Sequence, residues 1–223
     1  MKKIFLASLL ALGTGSLLPA QVPFVAYGEL MQTGMISVCW SPGTHFFKYT
    51  NLQITAAPGH SPNLSGLVGK YVKIEGTYTY AGSSDPICPL KAQVTKVTAV
   101  TDYLYIKPDP NVSRPRAYQG TNLNFQVFGQ PGAAAVLLLG PDFKHCTPIG
   151  NLGALYLDIF PPNGYLFIAG TSVINSSGVW AGAIPIPVNP ALYNKYFRFQ
   201  PAMLIPSSPV NPNLLNAVHV QTL

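Results

Sequence analysis

Alternating hydrophobic and polar residues in the segment Gln119 to Gly140 predict β-structure. Between Asn122 and Val127 the amide residues alternate with Leu, Phe and Val, which is typical of a strand with one buried and one exposed face. The next apolar run, Ala133 to Leu139, is short and has Pro-Gly before it and Gly-Pro after it. We therefore predict a strand buried on both faces rather than a helix. The Gly-Gln-Pro-Gly turn between the two runs predicts a β-hairpin.

Short apolar runs separated by turn residues continue along the rest of the chain and predict further strands. In the first half they are Phe24 to Met31, Met35 to Trp40, Phe46 to Ile54, Lys70 to Tyr80 and Ala92 to Val100. In the second half, besides the two above, they are Leu152 to Phe160, Tyr165 to Ala169, Gly178 to Ile186, Tyr196 to Met203 and Leu214 to Thr222. Only Ser61 to Leu67, with Pro62 in its first turn, predicts a short helix.

Composition supports an all-β fold. The 223 residues are 48% hydrophobic and 9% charged and include 22 prolines and 20 glycines, which favours short strands and turns over amphipathic helices. The proline-rich segment 107–116 has no apolar period and predicts a stiff linker. We therefore predict two domains, residues 21–106 and 117–223.

The first half has five predicted strands with one helix before the fourth, which is the layout of an OB-fold. Its segment LSGLVGKYVKIEG, residues 64–76, and the later QVTKV, residues 93–97, resemble the ending of secreted bacterial OB-like domains. The resemblance implies a five-stranded barrel, with loops 1–2 and 4–5 flanking the usual ligand face.

The second half resembles the C-terminal β-sandwich of secreted planctomycete-type proteins. The resemblance lies in FQVFGQPGAAAVLLLG (125–140), YLDIFPPNGYLFIAG (156–170), the turn at 175–178 and the closing LLNAVHVQTL (214–223). In that family a Ser-Asn pair precedes the closing strand, whereas Leu215-Asn216 stands here. The resemblance implies an antiparallel β-sandwich and carries over no catalytic residue.

The N-terminus predicts secretion. A basic start at Lys2 and Lys3, an apolar run and a small-residue site ending at Ala20 are the parts of a signal peptide, residues 1–20. The run is too short to span a bilayer comfortably, and no later run predicts a transmembrane segment. Removal of the two lysines reduces the net charge from +6 to +4. The remaining cations are scattered, which argues against a nucleic-acid surface.

The chain has three cysteines, and an oxidising compartment favours a disulfide. Cys39 and Cys88 lie near the two loops of the predicted barrel face, so we predict that they pair. Zinc is the alternative, although no CxxC or paired-histidine spacing accompanies them. His145 and Cys146 are adjacent, and adjacent residues of a strand point to opposite faces, so this pair alone cannot bind one metal ion. We interpret Cys146 as a buried thiol or as an unpaired one available to a partner chain.

Aromatic residues are frequent in the first half. If Trp40, Phe47, Tyr49 and Tyr78 are exposed, they form a flat platform for sugar rings. The alternative is that they fill the barrel core.

The sequence contains no convincing catalytic set, metal-ligand set or cofactor motif, so we predict a secreted, non-enzymatic binding or surface-structural protein that recognises glycan, cell-envelope material or a surface protein. The alternative is a secreted hydrolase whose carboxylates meet only in the fold. Glu75 with Asp85 or Asp102 would be its acids.

Overall fold

The computed structural model describes residues 22–34, 43–50, 52–80, 90–112, 114–149, 152–157, 164–205 and 208–223. Fifteen strands run through this part of the chain. Those of the first half are β1 (Val22–Gln32), β2 (His45–Phe47), β3 (Gln53–Ala56), β4 (Tyr71–Tyr80), β5 (Leu90–Ala99) and β6 (Tyr103–Ile106). Those of the second half are β7 (Arg116–Ala117), β8 (Asn122–Phe128), β9 (Ala134–Pro148), β10 (Ala154–Leu157), β11 (Phe167–Val173), β12 (Val179–Pro185), β13 (Tyr196–Ile205), β14 (Ser208–Leu214) and β15 (Val218–Thr222).

The first five strands close into a barrel in the order β1-β2-β3-β5-β4. Strands β3 and β5 run parallel, and β4 closes the barrel against β1. Between β3 and β4 lies a single 3-10 turn, Ser65–Leu67, which is shorter than the predicted helix Ser61 to Leu67. The side chain of Asn63 accepts the backbone N–H of Gly66 beside it. The predicted five-stranded OB-like barrel is confirmed.

The predicted strand Phe46 to Ile54 is wrong, because a turn divides it into β2 and β3. Tyr49 has a φ of 64°, which is outside the extended region. The Thr50 hydroxyl stabilises the turn by donating to the carbonyl of Phe47 at 2.9 Å. Phe47 and Tyr49 therefore do not share one face of a continuous strand.

Two sheets make up the sandwich. The larger has seven strands, with β10-β9-β13-β15-β7 in order, β11 beside β9 and β14 beside β13; the smaller is β12-β8-β6. Apolar side chains from both fill the space between them, including Leu104, Phe125, Leu137 and Phe199. The predicted sandwich is confirmed; its short β7 pairs with β15 in parallel.

Strands β8 and β9 do not form the predicted hairpin. Strand β8 pairs with β6 and β12, whereas β9 pairs with β10, β11 and β13 in the other sheet. The turn at 129–132 therefore carries the chain between sheets, with Gly132 at a φ of 83°. The start of β9 has one fully buried face, with Ala135 and Leu137 at 1% and 0% exposure, and Val136 and Leu138 are half-buried on the other.

The barrel and the sandwich share buried contacts. Strand β6, which the sequence assigns to the first domain, pairs with β8 of the sandwich. Ala154, Tyr156 and Ala217 pack into the same cluster as the barrel core. Within 107–116, Asp109 pairs with Arg114 through the backbone. The domain boundaries themselves stay a prediction.

Candidate functional site

Among the described residues, Phe47, Tyr49 and Tyr78 do not form one exposed platform. Phe47 is fully buried in the barrel core at 0% exposure, as the core alternative expected. Tyr49 packs against the sandwich core, and Tyr78 packs against Phe24 with ring centroids 5.6 Å apart. Trp40 lies outside the described residues. Ligand binding by Tyr49 or Tyr78 stays a prediction.

Tyr49 and its neighbour Lys48 contact both the sandwich and the barrel. Its backbone carbonyl accepts a hydrogen bond of 2.7 Å from Nη2 of Arg198, a residue of β13 in the sandwich. The Lys48 ammonium lies 5.4 Å from the Tyr49 ring centroid and forms an ion pair with Glu29 at 2.9 Å. Burial raises the pKa of the Tyr49 phenol, and Lys48 partly opposes that shift. This turn therefore attaches the barrel to the sandwich.

The predicted disulfide joins two cysteines outside the described part of the chain. Cys39 and Cys88 lie outside the described residues. Cys146 belongs to β9, and its side chain is outside the described part as well. The Cys39–Cys88 pairing stays a prediction.

The outer face of the three-stranded sheet carries a better-defined cluster of polar and aromatic side chains. Alternation along β8 buries Leu123, Phe125 and Val127 and exposes the amides. Register places Tyr105 opposite Gln126 and Gln126 opposite Ala181. We call Tyr105, Lys107, Asn124, Gln126 and Ala181 the tyrosine–amide face.

A shallow cavity of about 360 Å³ lies on the tyrosine–amide face. Tyr105 is 38% exposed, and Asn124 and Gln126 are exposed too. The short side chain of Ala181 leaves room beside them. Lys107 is the charged residue of the lining, and no acidic residue lines the cavity among the described residues. The face thus offers an aromatic ring, two amides and a cation. The volume of its cavity is in the size range of small-ligand sites.

A stack of three rings borders this face and crosses from the sandwich to the barrel. Tyr103 stacks on Tyr71 of β4 with centroids 4.0 Å apart and on Phe128 of β8 at 4.6 Å. Burial, and then the carboxylate of Glu29, raises the pKa of the Tyr71 phenol. The stack fixes β6, and with it Tyr105 two residues on, against both parts of the molecule.

The predicted acids Glu75 and Asp102 have different surroundings. Glu75 lies 3.3 Å from the ammonium of Lys73 and 3.4 Å from that of Lys96. Burial alone would raise the pKa of Glu75, but the two lysines outweigh it and lower the pKa. A general acid needs the opposite shift. Burial raises the pKa of Asp102, and Asp85 lies outside the described residues.

The carboxylates of Asp102 and Glu75 both affect the pKa of Tyr27. Burial first, then Asp102 and Glu75, raise the pKa of its phenol to about 12. The phenol therefore stays protonated at neutral pH and is not a ready base.

Sequence reasoning identified the exposed amides of β8 but missed Tyr105 and Lys107. The predicted boundaries assign Tyr105 to the barrel domain, residues 21–106, and Lys107 to the linker, residues 107–116, and so separate both from β8. Tyr103 and Tyr105 also have a period of two, and that signal could have revealed a second strand with an exposed face.

No family model matches the chain, and no curated protein matches it significantly. Among the described residues, no group of three or more His, Cys, Asp or Glu side chains could hold a metal ion. Nor does the described part of the chain contain a helix that is long and apolar enough to cross a membrane.

Proposed function

We propose that this chain is a secreted, non-enzymatic binding protein and that its tyrosine–amide face recognises a glycan of extracellular or cell-envelope material. The observation that carries the proposal is the placement of exposed Tyr105, Asn124, Gln126 and Lys107 around one shallow cavity. Secretion is part of the proposal and rests on the signal-peptide pattern of residues 1–20.

The chemistry of the face matches a sugar. The apolar side of a sugar ring packs on an aromatic ring such as Tyr105. Amide groups donate and accept hydrogen bonds at once, so Asn124 and Gln126 can bind neighbouring hydroxyl groups. Lys107 favours neutral or anionic sugars over cationic ones.

The sheet holds these groups in place before a ligand arrives. Leu123, Phe125 and Val127 anchor β8 in the core, and the Tyr71–Tyr103–Phe128 stack fixes β6. A rigid site loses less conformational freedom on binding, so a small set of contacts gives useful affinity.

A glycan and cell-envelope binding screen of the purified protein tests the proposal. For a glycan that binds, Tyr105→Ala should weaken binding about tenfold, a loss of ~1.4 kcal/mol, because ring stacking is lost. Gln126→Ala should weaken it as well. Tyr193→Ala is the matched control, since Tyr193 is 64% exposed but does not line this cavity.

Two results would overturn the proposal. Binding that is lost in a Tyr49→Ala, Tyr78→Ala double variant but kept in Tyr105→Ala would assign the site to the barrel. Turnover of any polymer in the screen would overturn the non-enzymatic function.

A further inference from the structure

A second cavity, of about 290 Å³, lies between the two sheets of the sandwich. Its floor belongs to the larger sheet and includes Phe199 and Val220, which are 3% and 1% exposed. Ile184 of β12 and Ile186, just after that strand, line it from the other side. Among the described strands, seven face only three. Part of the wide sheet therefore has no described strand opposite it, which accounts for the space.

The lining is apolar and contains no charged side chain among the described residues. The Thr222 hydroxyl is engaged already, because it donates to the carbonyl of Leu192 and accepts the backbone N–H of Lys195 at 3.2 Å. The lining therefore offers little to hold ordered water, and an apolar lining of this kind favours apolar molecules.

The cavity opens at the surface beside β11. Tyr165 and Phe167 line the mouth, with ring centroids 5.0 Å apart. They are 37% and 57% exposed. The chain from Tyr165 to Val173 carries no charge. An apolar ligand thus meets a continuous apolar path from the surface to the buried floor.

We infer that this cavity binds the hydrocarbon tail of a single-chain amphiphile, at a site separate from the tyrosine–amide face. A cavity of about 150 Å³ holds a benzene ring, so this one has room for a longer apolar chain. Among the described residues no charged side chain lines the cavity, which leaves the headgroup at the mouth, beside the Tyr165 phenol and in water. A protein partner would instead need a broad surface of about 800 Å² per side.

Calorimetric titration of the purified protein with octanoate, decanoate and dodecanoate, each below its micelle concentration, tests this inference. Affinity should rise about fourfold per added methylene while the cavity fills. The heat capacity change should be negative, since apolar surface is buried.

Two variants and two controls locate the site. Phe167→Ser removes a mouth side chain and should weaken dodecanoate binding at least tenfold. Ile168→Ser is the matched control, because Ile168 is 67% exposed on the same strand but does not line the cavity; its affinity should stay within twofold. Ala117→Leu fills the floor and should abolish binding, whereas Ala183→Leu, which adds the same bulk at an exposed position, should not.

Three outcomes would overturn the inference: no saturable binding of dodecanoate, equal weakening by Phe167→Ser and Ile168→Ser, or affinity independent of chain length. If Ala117→Leu fails to fold, the comparison of Phe167→Ser with Ile168→Ser in dodecanoate binding still tests the inference, because both positions are exposed. Tyr105→Ala should leave dodecanoate binding unchanged, so failure of the glycan proposal and failure of this one can be told apart.

Discussion

His45 combines burial with a titratable side chain. It is 4% exposed, and its Nδ1 lies 2.9 Å from the Thr44 hydroxyl. That hydroxyl donates to the Ile54 carbonyl at 3.3 Å, so it accepts the Nδ1 proton. Nε2 is then the unprotonated nitrogen, and it has no hydrogen-bond partner in the part of the chain that the structure describes. The folded state thus favours the neutral ring.

This environment predicts a pH dependence of stability. Burial lowers the pKa of His45 from 6.5, so below that value the unfolded chain binds a proton that the folded chain resists. The stability is therefore complete above pH 6.5 and declines as the pH falls toward the folded pKa. His45→Gln should show a smaller difference in unfolding free energy between pH 7.5 and about 5.5, measured by urea denaturation. His60→Gln, at an exposed position, is the control. An unchanged difference in His45→Gln would contradict the prediction.

Asn216 connects separate elements of the fold. It lies between β14 and β15 and is 4% exposed. Its Oδ1 accepts the N–H of Leu104 in β6 at 2.7 Å, and its Nδ2 donates to the carbonyl of Leu104 at 2.9 Å. The side chain therefore satisfies both backbone groups of a buried strand residue.

Asn216→Ala should lower the unfolding free energy by about 2–4 kcal/mol, because two buried backbone groups lose their partner. Asn122→Ala, an exposed amide on β8, should change it by no more than about 0.5 kcal/mol. Urea denaturation of the two variants measures both values. Equal values for the two would show that the Leu104 contacts add nothing to stability.

Strand positions could be predicted from the sequence, whereas several strand partners could not. Alternation identified β8 and its exposed amides because a period of two reports which face is buried. It does not report which strand lies alongside, so the sequence at 129–132 predicts a hairpin although the turn crosses between sheets. Leu215-Asn216 marked only the start of a strand in the sequence; the long-range contact to Leu104 belongs to the tertiary structure.

The candidate site shows the same limit. Two residues of the tyrosine–amide face, Asn124 and Gln126, follow from local alternation. Tyr105 and Lys107 join them through the pairing of β6 with β8, which are separated by residues 107–121. Ala181 joins them through the pairing of β12 with β8. The turn between β2 and β3 could not be predicted, because nothing in the local residue pattern marks Tyr49 as left-handed. Glycine and asparagine are the usual signals for that conformation.

At the scale of the whole molecule, the barrel and the sandwich form a common interior. The cluster that contains Ile74 and Phe47 of the barrel also contains Tyr156 and Ala217 from the second half. Arg198 and the Tyr71–Tyr103 stack add polar and aromatic contacts across the same boundary. Loss of either part would expose apolar surface of the other.

We therefore expect barrel and sandwich to unfold in one transition, which a distant substitution can test. In a Trp40→Phe background, Trp180 of β12 is the remaining tryptophan and reports on the sandwich. Ile74→Ala, in the barrel core at 0% exposure, should lower stability by about 2–5 kcal/mol. If the two parts are coupled, the Trp180 fluorescence transition should shift by the same amount as the circular dichroism transition. Val127→Ala, in the sandwich core, is the control, because it should shift the Trp180 fluorescence transition whether or not the two parts are coupled. A Trp180 transition that Ile74→Ala leaves in place would mean that the halves unfold independently, because the contacts at Tyr156, Arg198 and Tyr103 would then be too weak to couple them.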